Sequence, residues 1–264
     1  MDIERRLGFP AGPFTQPGPV LPVLAAGALS VAFFLAMPAF ADHPVGQSFM
    51  QHGWVPYAIV AFSFWALMIL LVKISKVRLQ RRALAYAVAP SESGFTLTPE
   101  TAISVLDRLH DIAEEPNDFL LYNRIQFALS NLKNMGRVGD VGEVLRGRSE
   151  SEDAAVESSY TVVRGLVWGI PVLGFIGTVL GLSQAIGSFG AVLQQSGEME
   201  ELRQSLQHVT AGLATAFETT LQALIAALLI QLLMTLVRRN EELMLDSFID
   251  YCDRQVIGHL RLKE

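Results

Sequence analysis

Polar side chains that could handle an ion occur inside two strongly apolar stretches in the second half of the chain. They are Thr178 in residues 165–193, and Thr215, Glu218, Thr219, Thr220 and Gln222 in residues 209–237. Hydroxyl and amide groups both donate and accept hydrogen bonds, whereas Glu218 is the one ionisable group in either stretch. A carboxylate at mid-bilayer costs about 2.5–3.5 kcal/mol or more, so it indicates a functional site by default. These two stretches are therefore the first place to look for a functional site.

A second interpretation of Glu218 stays open. The residue lies about two helical turns inside the outer end of its stretch, where water or a hydrogen bond from Thr215 or Gln222 would also stabilise it. A helical wheel places Thr215, Glu218, Thr219 and Gln222 on one side. Thr220 falls on another side, with Ala216, Ala223 and Ala227.

Small residues follow one face of the earlier stretch. Gly174, Gly177 and Gly181 share about a third of the helix circumference with Thr178, Gln184, Ala185 and Ser188. In lipid, small residues let two helix backbones approach closely, because no hydrophobic effect drives apolar helices together. The glycines therefore predict a close helix–helix contact. Gln184 is expected to need a partner or water.

Four stretches are long and apolar enough to span a bilayer, for which a helix needs roughly 20 apolar residues. They are residues 20–41, 54–72, 165–193 and 209–237. Lys and Arg cluster after the second and fourth stretches and precede the first and third, whereas residues 42–53 contain neither. Residues 194–208 contain only Arg203 against three glutamates. The positive-inside rule then places both termini and residues 73–164 in the cytoplasm.

Two readings of the first stretch remain. Ala39 and Ala41 have the A-x-A spacing of a signal-peptide cleavage site. The apolar run before them is longer than the usual 7–15 residues of such a signal, which favours a retained span. The topology from Trp54 onward is the same in either case.

Composition argues for a membrane protein and against several functional classes. Of 264 residues, 51% are hydrophobic and 17% are charged, below the quarter that is usual in soluble domains. The formal net charge of −6 argues against a nucleic-acid partner, and the single Cys252 excludes an intrachain disulfide and a multi-cysteine metal site. No phosphate-binding loop, paired zinc histidines or CxxC is present. We expect no enzyme activity, no cofactor and no metal.

The segments outside the spans have helical patterns and no strand-like alternation. Thr98 is a predicted N-cap, followed by an apolar face through Leu106 and Leu109. Residues 146–160 are expected to lead into the third span as one long helix. We predict an all-α membrane protein with four parts: residues 1–73 (tail and two spans), 74–163 (cytoplasmic helical region), 164–238 (two-span channel domain) and 239–264 (cytoplasmic C-terminal helix). In the last part, Met244, Leu245, Phe248, Ile249, Cys252, Val256 and Leu260 form an apolar stripe.

The sequences "PVLGFIGTVLGLSQAIGSF" and "VTAGLATAFETTLQALIAAL" together resemble the MotA/TolQ/ExbB family of ion-driven membrane motor subunits. That family has a Pro-x-x-Gly-x-x-Gly-Thr-x-x-Gly span followed by a second span of the form Gly-Leu-x-x-Ala-x-x-Thr-Thr. The matching residues are Pro171, Gly174, Gly177, Thr178 and Gly181, then Gly212, Leu213, Ala216, Thr219 and Thr220. The resemblance covers roughly residues 155–240. The chain departs from the family pattern at Ala223, Gln222 and Leu229.

The resemblance implies a pentameric ring in a bacterial inner membrane around two copies of a single-span partner of the MotB/TolR/ExbD type. An Asp in the partner's span takes up and releases H⁺ or Na⁺, and the likeness to ExbB and TolQ favours H⁺. The threonines that match Thr178 and Thr220 line the inner surface of the ring. The predicted ion-pathway residues are thus Thr178, Thr215, Glu218, Thr219, Thr220 and Gln222, and the predicted helix-packing residues are Pro171, Gly174, Gly177, Gly181 and Gly212.

Two other functions remain as alternatives. A non-conducting membrane scaffold would also explain the glycine face, and a partner with an intramembrane Asp would favour the motor over it. A small-solute transporter usually has inverted repeats or broken helices, which this sequence lacks. The process that is driven stays open between outer-membrane transport, envelope integrity, motility and phage defence.

Overall fold

The four apolar stretches form the four candidate membrane-spanning helices of a computed structural model, which describes residues 3–40, 49, 53–86, 88, 96–112, 118–130, 132, 138–195 and 199–261. The helices are α2 (Val20–Ala36), α3 (Val55–Arg81), α7 (Thr161–Gln195) and α8 (Met199–Gln255). Each is uniformly apolar over its span, and in lipid a helix satisfies all of its own backbone hydrogen bonds. The four predicted spans are confirmed as candidate membrane-spanning helices, and the chain is a membrane protein. Ala41 and most of residues 42–53 lie outside the described residues.

Four shorter helices complete the described fold: α1 (Ile3–Arg6), α4 (Thr101–Ile112), α5 (Leu120–Ser130) and α6 (Val138–Ser159). Short 3₁₀ turns follow α2 at Met37–Phe40, α3 at Arg82–Ala85 and α8 at Ile257–His259. The described residues contain no β-strand beyond one isolated bridge between Leu97 and Leu260. The prediction of an all-α protein is confirmed.

The chain divides into two units. We call residues 20–70 and 162–234 the membrane unit, and residues 1–19, 71–161 and 235–264 the polar unit. The predicted boundary between residues 238 and 239 falls inside α8, which runs without interruption from Met199 to Gln255. That four-part division stays a prediction about function.

The polar unit has an apolar core built on α5 and the end of α8. The predicted stripe on α8 is confirmed: Met244, Leu245, Phe248, Cys252, Val256 and Leu260 are buried, and Ile249 is half-buried. They pack with Leu121, Ile125 and Leu129 of α5 and with Leu109 of α4. Thr98 acts near the start of α4 as predicted, since its hydroxyl accepts a hydrogen bond from the Thr101 N–H at 3.3 Å.

The connection from the polar unit into the third span differs from the predicted single helix. A break at Tyr160 separates α6 from α7, and the Tyr160 N–H bonds to the Glu157 carbonyl, an i to i−3 contact. Tyr160 is buried, with its hydroxyl donating to Glu241 at 2.7 Å. Its ring also lies 4.2 Å from the Lys73 ammonium. These tertiary contacts were not visible in the helical pattern of the segment.

Candidate functional site

The glycine face of α7 packs against α8 in the membrane unit. Four positions along α7 meet four positions along α8 in reverse order: 174 meets 223, 177 meets 219, 181 meets 216 and 185 meets 212. The two helices are therefore antiparallel. We call this contact the seam. Gly174, Gly177, Gly181 and Ala185 are buried on α7, and Ala216, Thr219 and Ala223 are buried on α8.

The seam leaves no room for side chains at its glycines. A Cβ placed on Gly174 would lie 2.7 Å from the Cβ of Ala223, and one on Gly177 would lie 2.7 Å from Cγ2 of Thr219. At Gly181 the corresponding distance to the Ala216 Cβ is 3.1 Å. Such close approach is what small residues permit between helices in lipid.

Two threonine hydroxyls meet at one edge of this seam. Oγ1 of Thr178 lies 2.6 Å from Oγ1 of Thr220, a hydrogen bond between α7 and α8. Each hydroxyl is also 3.0 Å from the carbonyl oxygen of Gly174, and that of Thr220 is 3.2 Å from the carbonyl of Ala216. Both side chains are half-buried. The two residues that the sequence singled out on separate spans are therefore in direct contact.

The carbonyl of Gly174 was not anticipated as part of the site. It accepts from Thr178 within α7, and it can also accept from Thr220 of α8 because residue 174 has no side chain to separate the two backbones. The sequence signal that could have revealed it is the spacing Gly174-x-x-x-Thr178. In a helix, a threonine hydroxyl commonly bonds to the carbonyl four residues earlier.

The structure describes the side chains of three other predicted pathway residues, Thr219, Glu218 and Gln222. Thr219 is 2% exposed and packs against Gly177 inside the seam. Glu218 is on the exposed surface of α8 and Gln222 is half-buried. The side chain of Thr215 lies outside the described part of the chain. The roles of these four residues in an ion path stay predictions.

The remaining helix-packing residues can be placed as well. Gly212 contacts the seam, with a Cβ there lying 3.0 Å from the Cβ of Ala185. Pro171 lies inside α7, where it contributes no backbone N–H. Gln184 is exposed on the same helix.

Residues 113–248 match the MotA/TolQ/ExbB proton channel family, a match that covers just over half of the chain and includes α5 to α7 and most of α8. The chain belongs to the MotA/TolQ/ExbB proton channel family. The resemblance stated from the sequence motifs is thereby confirmed. No curated protein and no solved structure was found to match the chain.

Membership in a proton channel family gives the hydroxyl pair a chemical context. The matched region contains Thr178 and Thr220 together with every glycine of the seam. Each threonine hydroxyl can donate and accept hydrogen bonds and carries no formal charge. The role of the pair in an ion path stays a prediction.

Proposed function

We propose that the chain is the ring-forming subunit of an inner-membrane proton-channel motor. Five copies surround two copies of a single-span partner, and the partner's intramembrane Asp carries the proton past the inner surface of the ring. The observation that carries this proposal is the contact between Thr178 and Thr220 at 2.6 Å, inside the region that matches the family.

The hydroxyl pair suits a carboxyl group that changes its protonation. Two hydroxyls hold two hydrogens and four acceptor lone pairs. One hydrogen bridges the two oxygens and the other points to a backbone carbonyl, which leaves lone pairs open. A protonated carboxyl can donate to one of these at once. A carboxylate needs a donor. It is bound when the hydroxyl that donates to the Gly174 carbonyl rotates and donates to the carboxylate instead.

The absence of a formal charge on the threonines matters for turnover. A fixed Lys or Arg at this depth would hold the carboxylate as a permanent ion pair and stop its reprotonation. Neutral hydroxyls bind both states without a fixed opposite charge: a hydrogen bond contributes about 0.5–1.5 kcal/mol to the neutral carboxyl and about 1.5–3 kcal/mol to the carboxylate. One proton that falls through 100 mV supplies about 2.3 kcal/mol, so several protons are needed for a large mechanical step.

The polar unit supports a topology with both termini in the cytoplasm. Residues 1–19, 71–161 and 235–264 belong to one unit, as expected if all three segments lie on one side of the bilayer. The Lys and Arg distribution then makes that side the cytoplasm. The exposed apolar side chains of α7 and α8, such as Phe175, Val179 and Leu228, are available for lipid and for neighbouring copies.

Native mass spectrometry tests the assembly directly. The chain is purified in detergent alone and after co-expression with a single-span partner that carries an intramembrane Asp. The proposal predicts a pentamer that retains two partner copies, and it predicts that an Asp→Asn partner assembles equally well. A monomer or dimer that ignores the partner would contradict the proposal and support the non-conducting scaffold.

A further inference from the structure

The N-terminal tail, residues 3–18 of the polar unit, closes on itself through Glu4. The carboxylate oxygen Oε1 of Glu4 accepts a hydrogen bond from the Gly18 N–H at 2.7 Å, and the Glu4 carbonyl accepts from the Phe9 N–H at 3.0 Å. Glu4 is fully buried. The carboxylate therefore joins the first and last turns of the tail directly before α2.

The second carboxylate oxygen of Glu4 faces an ammonium group that belongs to α3. Nζ of Lys76 forms an ion pair with Oε2 of Glu4 at 2.6 Å. The same ammonium donates hydrogen bonds to the carbonyl oxygens of Gln16, at 2.6 Å, and Gly12, at 3.0 Å. The Lys76 side chain is only 1% exposed. One carboxylate and two carbonyls thus enclose a buried cation.

The loop around this cation is tightly built. A Cβ on Gly12 would lie 2.5 Å from the carbonyl oxygen of Gln16, the atom that accepts from Lys76, and a Cβ on Gly18 would lie 2.2 Å from the carbonyl of Pro10. Phe14 of the same loop packs against the apolar core of the polar unit. Within this loop the carbonyls of Gly12 and Gln16 are both directed at the Lys76 ammonium.

A second buried lysine shows that the charges are paired one to one. Lys73 lies one turn earlier on α3, and its ammonium is 2.8 Å from Glu241 of α8. Glu241 also accepts from the Tyr160 hydroxyl. Since Glu241 is engaged by Lys73 and Tyr160, the carboxylate that balances Lys76 at 2.6 Å is Glu4.

We propose that residues 4–18 form a cation-binding loop whose cation is the ammonium group of Lys76, and that this contact latches the N-terminal tail to α3. The ligand class is a primary ammonium, because it supplies both the positive charge for Glu4 and the N–H donors for two carbonyls. The latch fixes the chain immediately before the first span. It does not depend on ion conduction, and its test uses no transport readout.

The test is hydrogen exchange of the full-length protein in detergent. The exchange rate of the peptide that contains the Gly18 amide reports whether the latch is closed. Lys76→Ala is expected to speed this exchange about tenfold or more, because removal of one member of a buried ion pair is strongly destabilising locally. Propylammonium, which replaces the missing part of the side chain, is expected to restore protection. Tetramethylammonium carries the same charge without N–H donors and is expected to fail.

Two further variants keep the result interpretable. Glu4→Gln keeps the side-chain shape, removes the negative charge and replaces one acceptor oxygen by an NH2 donor. It is expected to speed exchange in the same peptide, which covers the case in which Lys76→Ala does not fold. Arg5→Gln is the matched control, since it breaks the ion pair with Asp118, in which both side chains are close to half exposed. Its effect should stay within about threefold, as for a surface pair.

Unchanged exchange in both Lys76→Ala and Glu4→Gln would overturn the proposal. Equal rescue by tetramethylammonium would also overturn it, because the loop would then respond to ionic strength and not to a bound ammonium. An equal response to Arg5→Gln would show that the tail is held by surface charge. Protection of the α5 peptides in every variant confirms that the polar unit itself stays folded.

Discussion

At the residue scale, the site consists of groups that are useful because they are not charged. Thr178 and Thr220 meet across the seam and share the carbonyl of Gly174. Their motif positions could be read from the sequence, since both stand at threonines of the family pattern. Their contact could not, because a helical wheel gives the side of each helix and says nothing about which sides meet. The shared carbonyl follows from the packing of α7 against α8.

The predicted role of Glu218 in an ion path is unchanged by the structure. It is exposed on α8 in the single chain, a position open to water, a neighbouring copy or the partner. We predict that Glu218→Gln lowers proton flux several-fold while the complex still assembles, because a carboxylate near the outer entrance raises the local proton concentration. Flux into proteoliposomes is the measurement, with the wild-type complex as reference. Flux equal to that of the wild type would exclude Glu218 from the path.

At the element scale, the seam sets how closely α7 and α8 approach. The glycine face was predictable from its helical spacing, and it is buried as expected. The two buried ion pairs of α3 were missed, because Lys73 and Lys76 fall in a segment whose positive charge also fits the positive-inside rule. Their spacing of three residues, which places both on one helix face, is the sequence signal that could have suggested burial.

We predict that Gly174→Ala weakens the seam. The new methyl group would lie 2.7 Å from the Cβ of Ala223, and overpacking of this kind costs about 1–3 kcal/mol. Gly187→Ala is the matched control on the same helix, since nothing lies within 4 Å of a Cβ at that position. The free energy of unfolding in mixed detergent micelles is the measurement. Equal values for the two variants would contradict close packing at Gly174.

Within the polar unit, we predict that Glu241→Gln lowers the free energy of unfolding by about 3–5 kcal/mol, because it leaves the buried Lys73 ammonium without its counter-charge. Glu242→Gln is the control in the adjacent position. Glu242 pairs with Arg238 at the surface, where both side chains are about half exposed, so its loss is expected to cost less than about 1 kcal/mol. Denaturant unfolding of the full chain compares the two. Similar costs would mean that the Lys73–Glu241 pair is hydrated in solution.

At the scale of the whole molecule, the proposal requires a definite orientation in the membrane. The native Cys252 is 2% exposed, so cysteines introduced elsewhere can be labelled against a low background. Ser151 of α6 and Gln207 at the start of α8 are both exposed. The proposed topology puts Ser151 in the cytoplasm and Gln207 on the outer side.

We therefore predict that a membrane-impermeant maleimide labels Gln207→Cys in intact cells and labels Ser151→Cys only after the membrane is opened. The wild-type chain is the control for Cys252. Labelling of Ser151→Cys in intact cells would reverse the orientation. The four spans could be predicted from apolar length, and the all-α class from helical patterns without strand-like alternation. The ring and its partner could not, because both depend on contacts with other chains.

The central claim is that the hydroxyl pair binds the partner's carboxyl group while that group carries protons, and proton flux through the reconstituted complex tests it most directly. Thr178→Val and Thr220→Val keep the side-chain shape and remove the hydroxyl. Thr210→Val is the control, since among the described residues its exposed hydroxyl bonds to carbonyls of its own helix, those of Leu206 and Gln207.

Each variant of the pair is expected to lower flux about tenfold or more, which corresponds to about 1.4 kcal/mol, the size of one hydrogen bond. The Thr210→Val complex should conduct like the wild type, and all variants should assemble. Wild-type flux in the double variant Thr178→Val/Thr220→Val would contradict the account.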